Sequence, residues 1–150
     1  MGTNESSLGK LSAHTSQKVE STVIWNATQH LATPEQREQG VVDLPAEARE
    51  QLCQLLTFEE LPNSMQLRGR SIAVVGLLAD AGAKCGDRVM LGGAPFFMEA
   101  LSRNCRECAL VPVFAFSRRE SVEQAQADGT VRKVAVFRHL GFVEPEAPRK

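Results

Sequence analysis

The feature that most constrains this chain is an alternation of short β-rich runs with helices that open on a capping residue or a proline. "TVIWN" precedes "TPEQREQG", "VVDLP" precedes "AEAREQLCQLL", and "GDRVMLGG" precedes "APFFMEALSRNC". Val, Ile and Trp suit a pleated, half-buried surface. Thr33 supplies an N-cap, Pro34 the first helical position, Glu35 and Gln36 a polar first turn, and Gly40 a stop. In the second helix Ala48, Leu52, Leu55 and Leu56 share a face. A longer helix is predicted from about Ser64 to Gly82, with Met65, Ile72, Val75, Leu78 and Ala79 as its apolar stripe and Gly82 as a left-handed stop. Pro95 opens the last helix, which turns Phe97, Ala100 and Leu101 to the core. Strands separated by helices pair in parallel, so the pattern predicts an α/β fold of the doubly wound kind, with a mainly parallel sheet flanked by helices.

The pattern changes after "ALVPVFAFS", a nearly continuous apolar run that reads as a strand buried on both faces and ending near Ser117. "RRESVEQAQADGTVRKVAVFRHLGFV" reads as two extended arms about a turn at Ala127-Asp128-Gly129-Thr130, a C-terminal β-hairpin. Val134, Val136, Leu140 and Phe142 share a parity, so one face of the hairpin is expected against the body. The domain is predicted over residues 22–144. Residues 1–21, almost without apolar periodicity, and the tail 145–150 are expected to be disordered. "MGTNES" matches the short N-myristoylation pattern and is read as incidental.

The chain has 150 residues, enough for one core, and a net charge of -1. That balance argues against duplex nucleic acid as a partner, since no broad basic surface is available for counterion release. No apolar run approaches a membrane span and no signal peptide is legible, so a cytoplasmic protein with no membrane partner is expected. Cys53, Cys85, Cys105 and Cys108 are then expected to be reduced thiols. "CREC" has CxxC spacing, but it falls at a helix end and lacks a second ligand pair, so neither a zinc site nor a redox pair is predicted.

In doubly wound folds ligands bind beyond the carboxyl ends of the strands. After the first strand stand Asn26, Thr28, Gln29 and His30. After "VML" stand Gly92 and Gly93, with Ala94 and a helix N-terminus behind them. After "VPVFAF" stand Ser117, Arg118 and Arg119. Backbone N–H groups and guanidinium forks both suit phosphate oxygens, and the amides and hydroxyls suit sugar or base edges. These three clusters predict a phosphate-rich small ligand, with no metal and no cofactor, because no Asp/Glu/His cluster with metal spacing joins them.

Several of these stretches resemble a known family. "NATQHLATPEQ" is similar to the Asn-His-x-Leu-Thr-Pro-Glu-Gln opening of small CRISPR-associated Csx proteins, in particular the Csx-twenty type. "VVDLPAEAR", "GDRVMLGGAPFFMEAL" and "LVPVFAFSRRESVEQAQADGTVRKVAVFRHLGFVE" resemble its later segments, in order, from about Val23 to Glu144. The resemblance implies a Rossmann-like fold akin to CARF sensor domains. It also implies a metal-independent ring nuclease that cleaves a cyclic oligoadenylate messenger in antiviral defense, acting as a homodimer. In that chemistry a ribose 2′-hydroxyl attacks the adjacent phosphorus and displaces the 5′-oxygen of the next nucleotide, leaving a cyclic 2′,3′-phosphate, while the protein aligns the hydroxyl and stabilises phosphoryl charge. Arg118 or Arg119 and the Gly92–Gly93 amides would take the second task, and His30 or Asn26 the first, with His30 also a proton shuttle. "NATQH" is longer between Asn and His than the family form, and Ala94-Pro95-Phe96 stands where relatives carry an acidic or aromatic residue. Two other readings stay open: a non-catalytic cyclic nucleotide sensor or sponge, and a small α/β interaction module whose hairpin arms pair between subunits.

Overall fold

A computed structural model describes residues 23–146. Five strands form one sheet in the order β2-β1-β3-β4-β5. They are β1 (Ile24–Ala27), β2 (Val41–Asp43), β3 (Arg88–Leu91), β4 (Val111–Ala125) and β5 (Val131–Val143). The first four run parallel and β5 returns antiparallel along β4. The helices are α1 (Pro34–Glu38), α2 (Ala46–Leu56), α3 (Ser64–Ala81) and α4 (Pro95–Glu107). This is the expected α/β architecture with a C-terminal hairpin. The expectations for residues 1–21 and the "MGTNES" pattern lie outside the described residues. Of the tail, Pro145 and Glu146 are described, and Glu146 forms an ion pair with Arg106 at 2.8 Å.

The sheet has two unequal faces. On one, α2, α3 and α4 bury Leu52, Leu56, Val74, Leu78, Phe97 and Leu101 against Ala27, Val89 and Leu91. Each fully buried Leu or Phe contributes about 1.5–3 kcal/mol by leaving water. On the other, Ile24, Val41, Met90 and Val113 pack with Ala32 and Phe142. Thr33 caps α1 with a complete capping box, and Asn63 does the same for α3. Gly82 ends α3 at φ 113°, a conformation that favours glycine.

Two packing expectations need correction. In α3 Met65 and Ile72 are 82% and 54% exposed, and Ala79 is exposed. The inward stripe is instead Ser71, Val74, Val75 and Leu78. Ser71 fits because its hydroxyl donates to the Arg68 carbonyl, 2.8 Å, which lets a polar residue hold a core position. The second correction concerns β4, which does not stop at Ser117 but runs unbroken to Ala125. Only Pro112 and Val113 of its apolar run are buried, and Ala115 and Phe116 are exposed. β3 ends at Leu91 opposite Phe114, so β4 outruns its inner neighbour. The outer part of β4 and β5 therefore projects as a two-stranded arm rather than lying on the body. A bulge near Phe116/Ser117 pairs Gly141 with Phe116 and His139 with Ser117, leaving Leu140 as the extra residue. It moves Phe142 to the opposite face from Val134 and Val136, and the single parity expected for these residues breaks there.

Cys105 lies buried in the last turn of α4 and Cys108 is exposed at its C-cap. Burial pushes the Cys105 thiol up to about 12, the neighbouring Cys108 adds to the rise, and Arg106 opposes it. A thiol so rarely ionised is a poor nucleophile. Alkylation of the folded protein at pH 8 is accordingly expected to label Cys85 and Cys108, and Cys105 only on unfolding. Rapid labelling of Cys105, read by peptide mass mapping, would contradict its place in the core.

Candidate functional site

Reversal of strand order falls between β1 and β3, because the chain leaves β1 toward β2 on one side and reaches β3 on the other. In open α/β sheets the two loops leaving such a switch point diverge and leave a crevice. Here the crevice is a cleft of about 870 Å³. Thr28, Gln29, His30 and Leu31 form one wall, Gly92, Gly93 and Pro95 the other, and Met90, Leu91, Met98, Phe114 and Ala115 the remaining, mainly apolar lining. Among the described residues no Arg, Lys, Asp or Glu lines it. An apolar bed with a few polar groups at its edge is the usual composition of a small-molecule site.

The β1 loop is built by Asn26. Its side chain is 3% exposed, and its amide donates to the His30 carbonyl at 2.7 Å and to Asp43 Oδ1 at 2.8 Å. Its Oδ1 accepts from the Thr28 N–H at 3.0 Å and lies 2.7 Å from the Thr28 hydroxyl. Both donors and the acceptor oxygen are thus spent inside the protein. Asn26 positions the loop and has no group left for a ligand, which corrects the contact role expected of it. Asp43, at the end of β2, extends the anchor: it accepts from Ala32 N–H at 3.0 Å and pairs with Arg37 at 2.9 Å. Gln29 is likewise engaged, donating to Thr57 Oγ1 at 3.0 Å. His30 is exposed on the cleft wall, and its imidazole has no partner among the described residues.

The opposite wall keeps its backbone free. No acceptor meets the N–H groups of Gly92, Gly93 or Ala94 among the described residues. Gly93 has φ 153°, and a Cβ there would stand 3.3 Å from Met98 Cε. A Cβ on Gly92 would stand 3.3 Å from Thr28 Cγ2. Two glycines in sequence let the β1 and β3 loops approach and leave N–H groups bare at the start of α4, whose N-cap Ala94 offers no side-chain oxygen. Consecutive free N–H groups at a helix start suit an anion. Gly92 and Gly93 line the cleft, while Ala94 stands behind them.

Ser117, Arg118 and Arg119 do not join this wall. They lie on the arm, within β4, and none lines the cleft. Glu120 holds Arg118 by two contacts, 2.7 and 3.2 Å, and Arg138 by one of 3.1 Å. These hydrogen bonds hold the Glu120 carboxyl below its ordinary range. Exposed charges do not end a strand that has a paired neighbour, so the Ser-Arg-Arg triplet lies within β4 and not at its end.

Sequence reasoning also missed Arg70. It donates to the carbonyls of Thr57 at 2.6 Å and Leu55 at 3.0 Å, and lies 4.2 Å from the Phe58 ring centroid. α2 has no basic residue in its own last turn, so a cation from α3 caps it and fixes Thr57, the residue that holds Gln29. The only sequence signal is an arginine in the first half of the helix, two residues before the apolar run from Ile72 to Val75.

Among the described residues no group of three or more His, Cys, Asp or Glu side chains could hold a metal ion, and no helix is long and apolar enough to cross a membrane. Fold and cleft together define a small α/β protein with a ligand-sized crevice at its switch point. A family model matches residues 22–143, and the chain belongs to that family, the uncharacterized protein MJ1673 family. Comparison with curated proteins and with solved structures gives no match.

Proposed function

We propose that the switch-point cleft binds a nucleotide-type ligand, with a cyclic oligoadenylate as the ligand class suggested by the resemblance to Csx proteins. The observation that carries this reading is the bare run of N–H groups at Gly92, Gly93 and Ala94 beside an apolar bed. A phosphate would take the N–H groups, and a base would take Met90, Met98 and Phe114. Among the described residues the cleft has no cation of its own, and Asn26 is committed to the loop, so the geometry favours binding over cleavage: a sensor or sponge.

Cleavage is a second reading, favoured by His30. Its imidazole is unpartnered and its backbone is pinned through Asn26, so it could move a proton at a ribose 2′-hydroxyl. Incubation with cyclic tri-, tetra- and hexa-adenylate without added metal separates the readings. Retention of intact ligand supports binding, and linear products lost in His30→Ala support a ring nuclease. Neither retention nor turnover of any ring would refute both.

A further inference from the structure

The arm is the least explained part of the molecule. Past Phe114, β4 has β5 on one side and, among the described residues, no strand on the other, so a long backbone edge is open there. An isolated two-stranded ribbon is at best marginally stable in water, and an open edge is a template for a further strand. Gln126 N–H donates to the Thr130 carbonyl at 2.8 Å, across the hairpin. By the alternation of an antiparallel ladder, Gln124, Val122 and Glu120 also turn their backbone groups toward β5. Ala125, Glu123, Ser121, Arg119 and Ser117 then turn theirs outward.

Side chains say which strand fits. The outer edge of β5 carries Arg132, Lys133 and Arg138 with no carboxylate between Val131 and Val143, a guarded edge. The β4 edge mixes signs, and neither the Arg119 nor the Glu123 side chain has a partner among the described residues. A two-fold axis normal to the sheet must bring one residue opposite its own copy. Centred on Arg119 or Glu120 it would oppose like charges, which destabilises a strand pair. Centred on Val122 it would leave Arg119 against Ala125. Centred on Ser121 it sets Arg119 against Glu123 twice, Arg118 against Gln124, and Glu120 against Val122.

We propose that two copies of this chain pair β4 with β4, antiparallel about a two-fold axis at Ser121, to make a four-stranded ribbon. The five outward-facing residues of each strand exchange about ten backbone hydrogen bonds, as many as a typical protein interface holds. The partner's Ala125 lies opposite Ser117, about 10 Å along the lane from Leu91, so the partner's turn, which follows it, runs down the lane vacated by β3 and meets the end of β3. That places the turn, closed by Asp128 accepting from Thr130 at 2.6 and 3.0 Å, at the mouth of the cleft beside Gly92. Each cleft is then completed by the other copy.

Sedimentation velocity of the full chain over a dilution series, without ligand, tests the pairing apart from the binding reading. A dimer is expected. Arg119→Glu and Glu123→Arg should each weaken it by about tenfold or more, and the double swap should restore it. Both side chains are exposed and make no hydrogen bond or ion pair among the described residues, but Glu123 stands across the hairpin from Lys133, so the thermal melt at a concentration where each variant is monomeric serves as a folding control. A monomer at all concentrations, a dimer indifferent to both reversals, or a loss that the swap fails to rescue would overturn the proposal.

Discussion

Asn26→Ala is expected to lower the melting temperature by about 10 °C, a cost of about 3 kcal/mol. The side chain is buried and bridges β1, β2 and the cleft loop through Asp43, His30 and Thr28. Its removal deletes the hydrogen bonds to Asp43, to the His30 carbonyl and from the Thr28 N–H, about 1 kcal/mol each, while Asp43 Oδ1 keeps the Ala32 N–H and the His30 carbonyl keeps the Thr28 hydroxyl. The loop from Thr28 to Leu31 loses its anchor with it, so ligand affinity should fall even where the domain remains folded. Asn26→Asp is expected to be no better at neutral pH, because it replaces a donor with a carboxylate facing Asp43 at 2.8 Å. A thermal melt by circular dichroism reads both. A shift of less than about 2 °C for either would mean that the loop holds without Asn26.

Gly92→Val is expected to block the cleft with little effect on the fold. A Cβ at Gly92 is already within 3.3 Å of Thr28 Cγ2, and the two methyls beyond it have only the cleft to occupy. Loss of affinity for a bound nucleotide by about a hundredfold, roughly 2.7 kcal/mol, is expected by calorimetry. Gly92→Ala, whose single methyl meets a movable side chain, should lose far less. Equal affinity in Gly92→Val and the unmodified chain would remove the ligand from this cleft.

The α/β order was legible because its signals are local. Thr33 and Asn63 as caps, Pro95 at a helix start and Gly82 at a helix end act within one turn of the chain. The glycine wall was legible for the same reason. Asn26 and Arg70 were not, because their roles rest on partners brought close by folding: Asp43 across a strand pair, and the α2 carbonyls across a helix pair. The outer half of β4 reads from sequence as an extended arm separate from the apolar strand, because the polarity changes at Ser117, whereas β5 pairs with β4 across that change and keeps it one strand. In α3 the visible stripe of Met65 and Ile72 was the wrong one, since a hydrogen-bonded serine, Ser71, occupies the core position.

On the proposed reading, the crevice between the ends of β1 and β3 is a binding site. Backbone amide NMR shifts recorded during titration with cyclic tetra-adenylate test it most directly, with the tri- and hexa-adenylate rings run in parallel. The largest changes are expected at Thr28 to Leu31 and at Gly92 to Ala94, and smaller ones along the arm. Changes confined to the arm at Arg119, Arg132 and Lys133, or no change with any of the three rings, would contradict it.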